Sequence, residues 1–370
     1  MRDSTNRKFK LAVATATFLL AFNFLQAKPR YTKHIMLMAY NVENLFDATD
    51  DGLLQEDVTY LPLAIKKTWR IDYCKGRSGF YYKECRNLDW TQTKYEQKLK
   101  KIATVILSQN LKKGPDVIVF EELENYNVLK DLWSKHLKRK GYKAPIHYES
   151  PSTRGIDVGI ISKFKLIQSI RHPVDVTQIG DAPTRDIIEA RLEVEPGQEL
   201  RITANHWPSL SSSHPGESRF IAARVLMDIA IEAKKDGVPL VAMGDFNTLD
   251  QTTPNPISDF LSDNRLDDTT RPFVDAHTFL AKYKTFPAGT HYYKGEWNHL
   301  DRILLSKNLL LGTTLFEADP YSFKIVDKEY LFKEISQKGK LPYKVPHRFN
   351  FDTAEGYSDH LPIVINLYLN

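Results

Sequence analysis

A mixed α/β fold is the prediction, and three observations carry it. Short apolar segments of strand length recur along the chain, and amphipathic runs at helical spacing separate some of them. Two further segments, within 187–204, follow one another with no helix between them and read as a hairpin. Composition agrees: 42% hydrophobic and 26% charged residues, with 17 Gly and 19 Pro in 370, exclude disorder, collagen-like repeats and coiled coil. Two cysteines exclude a disulfide-rich miniprotein, and without a C-x-x-C pair nothing suggests a zinc ribbon or thioredoxin site.

The chain opens with a basic stretch (Arg2, Arg7, Lys8, Lys10), then the apolar run 11–22, then the small Ala27 before Lys28. That order predicts a signal peptide over 1–27 and a secreted or periplasmic protein, the apolar run being shorter than the roughly 20 residues of a spanning helix. Removing it lowers the net charge from +5 to +2, so overall charge makes no strong case for nucleic acid. The rest, 28–370, is expected to be one monomeric domain with no stable membrane insertion, large for one core unless two sheets stack with helices outside.

Strand candidates follow at 35–40, 117–120, 158–162, 187–194, 200–204, 240–243, 302–305 and 362–369. Between the first two, 48–92 is polar and turn-rich and reads as an insertion over one rim. Cys74 and Cys85 flank its Gly- and Tyr-rich loop, where an oxidising compartment favours a disulfide. Thr93 with Glu96 forms a capping box for a helix carrying Tyr95, Leu99, Ile102 and Ile106, which Lys113-Gly114-Pro115 stops. A second helix carries Ala222, Val225, Leu226 and Ile229 and ends near Gly237.

Nucleotide-loop, zinc-protease and nucleophile-elbow signatures are absent. Instead, acids, amides and imidazoles stand where strands begin or end: Asn41 to Asn44, Glu121-Glu122, Asn205-His206, Gly244 to Asn247, Asp301, and Ser358-Asp359-His360. Singly, each passes for a turn residue or helix cap. In a mixed sheet, however, the end of one strand and the start of its antiparallel neighbour share a rim, so one rim can collect them all.

The ordered series NVENLF, VFEELEN, NHWPS, GDFN, LDRIL and SDH resembles the endonuclease/exonuclease/phosphatase superfamily over residues 35 to 368. The resemblance implies a four-layer α/β/β/α sandwich and a metal-dependent hydrolase acting on phosphoester bonds. It matches Asn41 to a phosphate-binding position, Glu43 to an acidic position used by some members, and Glu122 to the principal metal-ligand Glu, with Glu121 where the family has Gln. It matches His206, the Asp245/Asn247 pair, Asp301 as orienter of the last His, and the terminal Asp359/His360. Glu43, Glu122 and Asp359 are then the metal candidates. Clustered hard oxygen donors select Mg²⁺, with Mn²⁺ or Ca²⁺ as substitutes, and Mg²⁺ takes only one or two carboxylates. His360, held by Asp301, is the candidate base for an attacking water, together with Asp245. Asn41, Asn247 and His206 would bind phosphoryl oxygens, and His206 could protonate the leaving oxygen. Asn205, Arg154 and Arg185 complete the candidate substrate contacts.

The leading expectation is an exported phosphodiesterase, a nuclease on DNA or RNA. A phospholipid or small phosphoester is the alternative substrate, and a binding protein that lost catalysis is the third class. Basic residues over 94–143 and 324–348, among them Lys338, Lys340, Lys344 and Arg348, are read as solvated faces or nucleic-acid contacts. HYYKGEW (291–297) is read as a stacking surface or as cross-strand aromatic pairs.

Overall fold

The computed structural model describes residues 33–52, 57–267, 269–280, 287–336 and 341–370. The expected signal peptide, Lys338 and Lys340 lie outside the described residues. In chain order the strands are β1 (Lys33–Leu45), β2 (Val117–Leu123), β3 (Ile146–His147), β4 (Asp157–Ser162), β5 (Lys165–His172), β6 (Ile187–Glu195), β7 (Gln198–His206) and β8 (Leu240–Asp245). They continue as β9 (Phe273–Asp275), β10 (His291–Tyr293), β11 (Glu296–Asn298), β12 (Asp301–Ser306), β13 (Phe316–Ile325), β14 (Phe332–Ile335), β15 (Tyr343–Pro346) and β16 (Ile363–Leu369). Two six-stranded mixed sheets result, ordered β13-β16-β1-β2-β4-β3 and β5-β6-β7-β8-β12-β9, with β10-β11 and β14-β15 as separate hairpins.

Alternation along the strands builds the layers. Ile35, Leu37 and Ala39 of β1 pack with Val117 and Val119 against Leu200, Ile202, Val241, Met243, Ile303 and Leu305 of the other sheet. The intervening Met36, Met38 and Tyr40 face outward onto helices α2 (Gln92–Leu107) and α3 (Tyr126–Leu132). The outer face of the second sheet, with Leu240, Ala242 and Leu304, packs on α4 (Pro215–Lys235) through Ala222, Leu226 and Ile229. Burial on both faces explains the unbroken apolar runs of the central strands. Each fully buried aliphatic side chain contributes about 1.5–3 kcal/mol. The result is a four-layer α/β/β/α sandwich.

Two helix boundaries differ from expectation. Thr91, not Thr93, caps α2, its side chain accepting the Lys94 N–H at 3.4 Å. That helix ends at Leu107, before the Gly-Pro stop, and a 3₁₀ turn at Asn110–Lys112 covers the remainder. Segment 48–92 is more helical than its composition suggests, with helical turns over 63–76 and α1 (Gly79–Asn87). Cys74 and Cys85 are disulfide-bonded at a Cα separation of 5.7 Å. The buried Lys66 ammonium donates to the carbonyls of Thr59 (2.6 Å), Cys85 (2.9 Å) and Leu88 (2.7 Å), so one side chain closes three backbone segments. Tyr60 stacks on Phe46 at 4.3 Å, joining this segment to the end of β1.

Candidate active site

The inward-facing rows that make the central core continue past it into polar residues. Asn41 and Glu121 extend the rows of β1 and β2 and stand side by side. His206, Asp245 and Asp301 extend those of β7, β8 and β12, with Asp245 directly between the other two. Period-two alternation therefore delivers five polar side chains to one end of the inter-sheet layer. Asn205, one residue before His206, faces the other way. Its amide donates to Thr203 and Met243, its oxygen accepts from Trp207 Nε1 at 3.2 Å, and it is fully buried. Asn205 is thus a scaffold residue, which corrects its expected place among the substrate contacts.

Backbone irregularity marks the same level. Glu43, Asn44, Glu122 and Asn247 all have positive φ, between 46° and 64°, a region that costs non-glycine residues about 1–3 kcal/mol. The β1–β2 register shifts between Asn41 and Leu45, so Glu43 and Glu122 leave the regular alternation. Gly244 is required: a Cβ there would lie 2.1 Å from the Asn205 carbonyl and 2.8 Å from Glu121 Oε1.

Polar groups converge on Asp245 Oδ2. Asn41 Nδ2 donates to it at 3.2 Å, His206 Nε2 stands 3.8 Å away, and His360 Nε2 4.0 Å. Its other oxygen accepts the Asn247 N–H at 2.8 Å. Burial above all, with Asp301 adding and His360 opposing, raises the Asp245 pKa to about 7. His360 donates from Nδ1 to Asp301 Oδ2 at 2.8 Å. Burial works against its charge, but Asp301, Asp245 and Asp359 outweigh burial and hold its pKa well above the usual imidazole range. His206 is the opposite case: burial, then Arg185 and Arg154, hold it well below, so it is neutral. Two imidazoles in one site therefore carry different charges.

Glu43 is already engaged. One oxygen takes Arg348 Nε, and the other accepts the N–H groups of Asp359 (2.9 Å) and Phe349 (3.3 Å). Lys98, fully buried on α2, donates to the carbonyls of Glu43 and Asn44 and lies over the rings of Phe349 and Phe351. Lys98 and Arg348 thus secure the bulged end of β1, a role composition did not reveal. Lys98 lies three residues after Tyr95 and one before Leu99, a spacing that placed it on the apolar face. Glu122 is half-buried and accepts the Asn44 N–H at 2.9 Å, and Asp359 lies 3.9 Å from Arg348.

Two arginines occupy the side of the site near His206. Arg154 donates to Asn44 Oδ1 at 3.3 Å. Arg185 is buried, donates to the Trp207 carbonyl at 2.8 Å, and has a buried Nε with no hydrogen-bond partner. Burial and the neighbouring Arg154 push its pKa down to about 10. Asn247 Nδ2 shares the same Trp207 carbonyl at 3.0 Å. The aromatic segment 291–297 forms the β10–β11 hairpin, with Tyr292 and Trp297 paired edge-on at 5.5 Å. His291 packs on His360 at 4.6 Å, and Tyr293 beyond it is 59% exposed. Lys344 pairs with Glu329 and takes no part in the site.

The residues fit a hard divalent cation. Among the described residues, one donor atom from each of Asp245, Asp301 and His360 lies within 4.8 Å of the other two, whereas Glu43, Glu122 and Asp359 do not close into such a group. Glu43, expected as a metal ligand, is spent on Arg348 and two backbone N–H groups; Glu122 and Asp359 still offer oxygen donors only. Deeper in, both oxygens of Glu121 and Oδ1 of Asp301 are buried with no hydrogen-bond partner. Burial, then Asp301 and Asp245, push the Glu121 carboxyl well above its usual range.

Residues 80–369 match the model of the Endonuclease/Exonuclease/phosphatase family. Among solved structures, a protein described under that family name from Bacteroides thetaiotaomicron is similar with a TM-score of 0.54 and 13% identity, over 91% of this chain and 98% of that one. A mannosyl-6-phosphatase from the same species gives 0.52 and 13%, over 90% and 99%. A humanized D. rerio TDP2 carrying 14 mutations gives 0.51 and 15%, over 90% and 98%. At these identities the likeness to solved structures is one of fold. No curated protein matches the chain.

Proposed function

This chain belongs to the endonuclease/exonuclease/phosphatase family, and from that membership we propose that it is a divalent-metal-dependent phosphodiesterase acting on nucleic acid. The observation that carries the chemistry is the convergence of Asn41, His206 and His360 on Asp245, beside Arg185, which has no acidic partner among the described residues. Phosphoester hydrolysis needs a proton acceptor for water, donors for the phosphoryl oxygens and positive charge around them. Asp245, whose pKa burial raises to about 7, takes the proton of the water. His360, kept charged by Asp301, donates from Nε2 to the phosphoryl group rather than acting as the base. Neutral His206 and Asn247 donate from the other side, and Arg154 and Arg185 face the accumulating negative charge.

Glu122 and Asp359 would hold Mg²⁺, for which Mn²⁺ or Ca²⁺ can substitute, while Glu43 positions the Asp359 backbone. Bound there, the ion supplies Lewis-acid stabilisation of the phosphoryl oxygens. The exposed Tyr293, on the strand whose His291 packs on His360, supports a substrate with a ring to stack, hence a nucleic acid. Export rests on the 1–27 pattern alone.

A substrate panel tests this reading. Purified protein with Mg²⁺ is incubated with plasmid DNA, RNA, sphingomyelin and a chromogenic phosphodiester. Cleavage of DNA or RNA and of the chromogenic ester, with sphingomyelin intact, is the expected result. Turnover of sphingomyelin alone would replace nucleic acid with lipid, and no turnover of any ester would leave a binding protein on this fold.

A further inference from the structure

A second constellation lies beside β12, away from the inward row. Arg302 follows Asp301 and projects to the opposite face, where it pairs with Asp275 at 2.6 Å and with Asp250. Asp250 Oδ2 accepts Nδ1 of His299 at 2.8 Å. The rings of His299 and His277 pack against each other with centroids 3.7 Å apart and planes tilted by 38°. One donor atom from each of Asp250, His277 and His299 lies within 4.8 Å of the other two. Here two carboxylates face one guanidinium, which leaves one negative charge beside two imidazoles.

We propose that Asp250, His277 and His299 form a metal site for a borderline divalent ion of the Zn²⁺ type, separate from the hard-oxygen site. Two nitrogen donors and one carboxylate match that class of ion and disfavour Mg²⁺. The ion replaces the proton that His299 Nδ1 directs at Asp250. Asp250, only half-exposed by its side chain, leaves an open side for a water ligand.

The site would act as a clip. Asp250 follows the Gly244 to Asn247 turn, His299 precedes Asp301 by two residues, and His277 is the second residue of the short helix α5 (Ala276–Leu280) after β9. One ion therefore ties three segments that border the active-site rim, and stabilises the folded protein in proportion to its occupancy.

The test is zinc binding in excess Mg²⁺, which keeps the hard-oxygen site filled. After chelator treatment, reloading with Zn²⁺ and dialysis against chelator-free buffer, the protein should retain one Zn²⁺ per chain and melt at higher temperature with it. His299→Ala and His277→Ala should each abolish that equivalent, and Asp250→Asn, which removes the one charged ligand, should weaken it. Asp359→Asn, at the other site, should leave it unchanged. Cu²⁺ bound to the wild-type chain should show an electron-spin resonance pattern split by two imidazole nitrogens, a readout that does not depend on any variant folding. Retention of Zn²⁺ by the His277→Ala/His299→Ala double variant, its loss in Asp359→Asn, or a Cu²⁺ spectrum with oxygen donors only would overturn the proposal.

Discussion

Asp301→Asn isolates the charge that holds His360 in its working state. The wild-type bond is 2.8 Å long, joins two buried side chains and is between charged groups. Such a bond is worth about 1.5–3 kcal/mol, so losing it in the transition state should lower kcat by roughly 10–100-fold. His360→Ala removes the donor itself and should cost about 10²–10³-fold. The double variant should be little worse than His360→Ala, because members of one unit are not additive. A second readout follows from linkage. His360 is raised in the folded state, so it contributes stability that is full below the unfolded imidazole pKa and disappears as pH rises through the folded one. Asparagine removes the charge that raises it, so the metal-free Asp301→Asn protein should show a lower His360 pKa by NMR titration. Turnover of a chromogenic phosphodiester and that titration are measured on the same preparations. An unchanged His360 pKa, or multiplicative losses in the double variant, would refute the pairing and make Asp301 an independent participant.

Three further substitutions probe the surroundings. Arg185→Met should lower kcat/KM by about 10–100-fold through the lost charged contact to substrate, while the thermal midpoint holds or rises because a buried cation without an acid is removed; a midpoint that falls with activity intact would make Arg185 structural. Lys98→Met takes the ammonium donor away from the carbonyls of Glu43 and Asn44, the second of which keeps the Phe46 N–H at 3.1 Å, and removes a buried charge whose pKa burial lowers to about 8. Stability should therefore move little, whereas kcat should fall roughly 10–10²-fold as the β1 bulge relaxes, and full activity would contradict the anchoring role. Replacing Cys74 and Cys85 by Ser opens a short loop with a sequence separation of 11 and should cost about 2–3 kcal/mol in a denaturant titration, with the rate per folded molecule unchanged.

Much of the site was legible because the apolar rows and the polar rim are one pattern. Counting in twos from Ile35, Val117, Leu200, Val241 and Ile303 leads to Asn41, Glu121, His206, Asp245 and Asp301. The same count would have set Asn205 aside, since neighbours in a regular strand point to opposite faces. Bulges defeat it: Glu43 and Glu122 sit at positive φ, and their directions depend on register shifts that no periodicity announces. Arg348 was visible only as a basic residue because its partner, Glu43, is 305 residues away. Lys98 is legible from its spacing, on the face of Tyr95 and Leu99, although the basic residues around it mask that pattern. The cap of α2 lies two residues before Thr93 because Thr91 offers the helix start the same chemistry.

The most direct measurement is the initial rate of phosphodiester hydrolysis as Mg²⁺ is titrated into chelator-stripped protein, with Asp245→Asn run alongside. A wild-type rate that is absent without the ion and saturates as it is added, beside a flat response from Asp245→Asn, is the predicted result. Full turnover in chelator, or an Asp245→Asn variant as active as wild type, would contradict a metal-dependent hydrolase centred on Asp245.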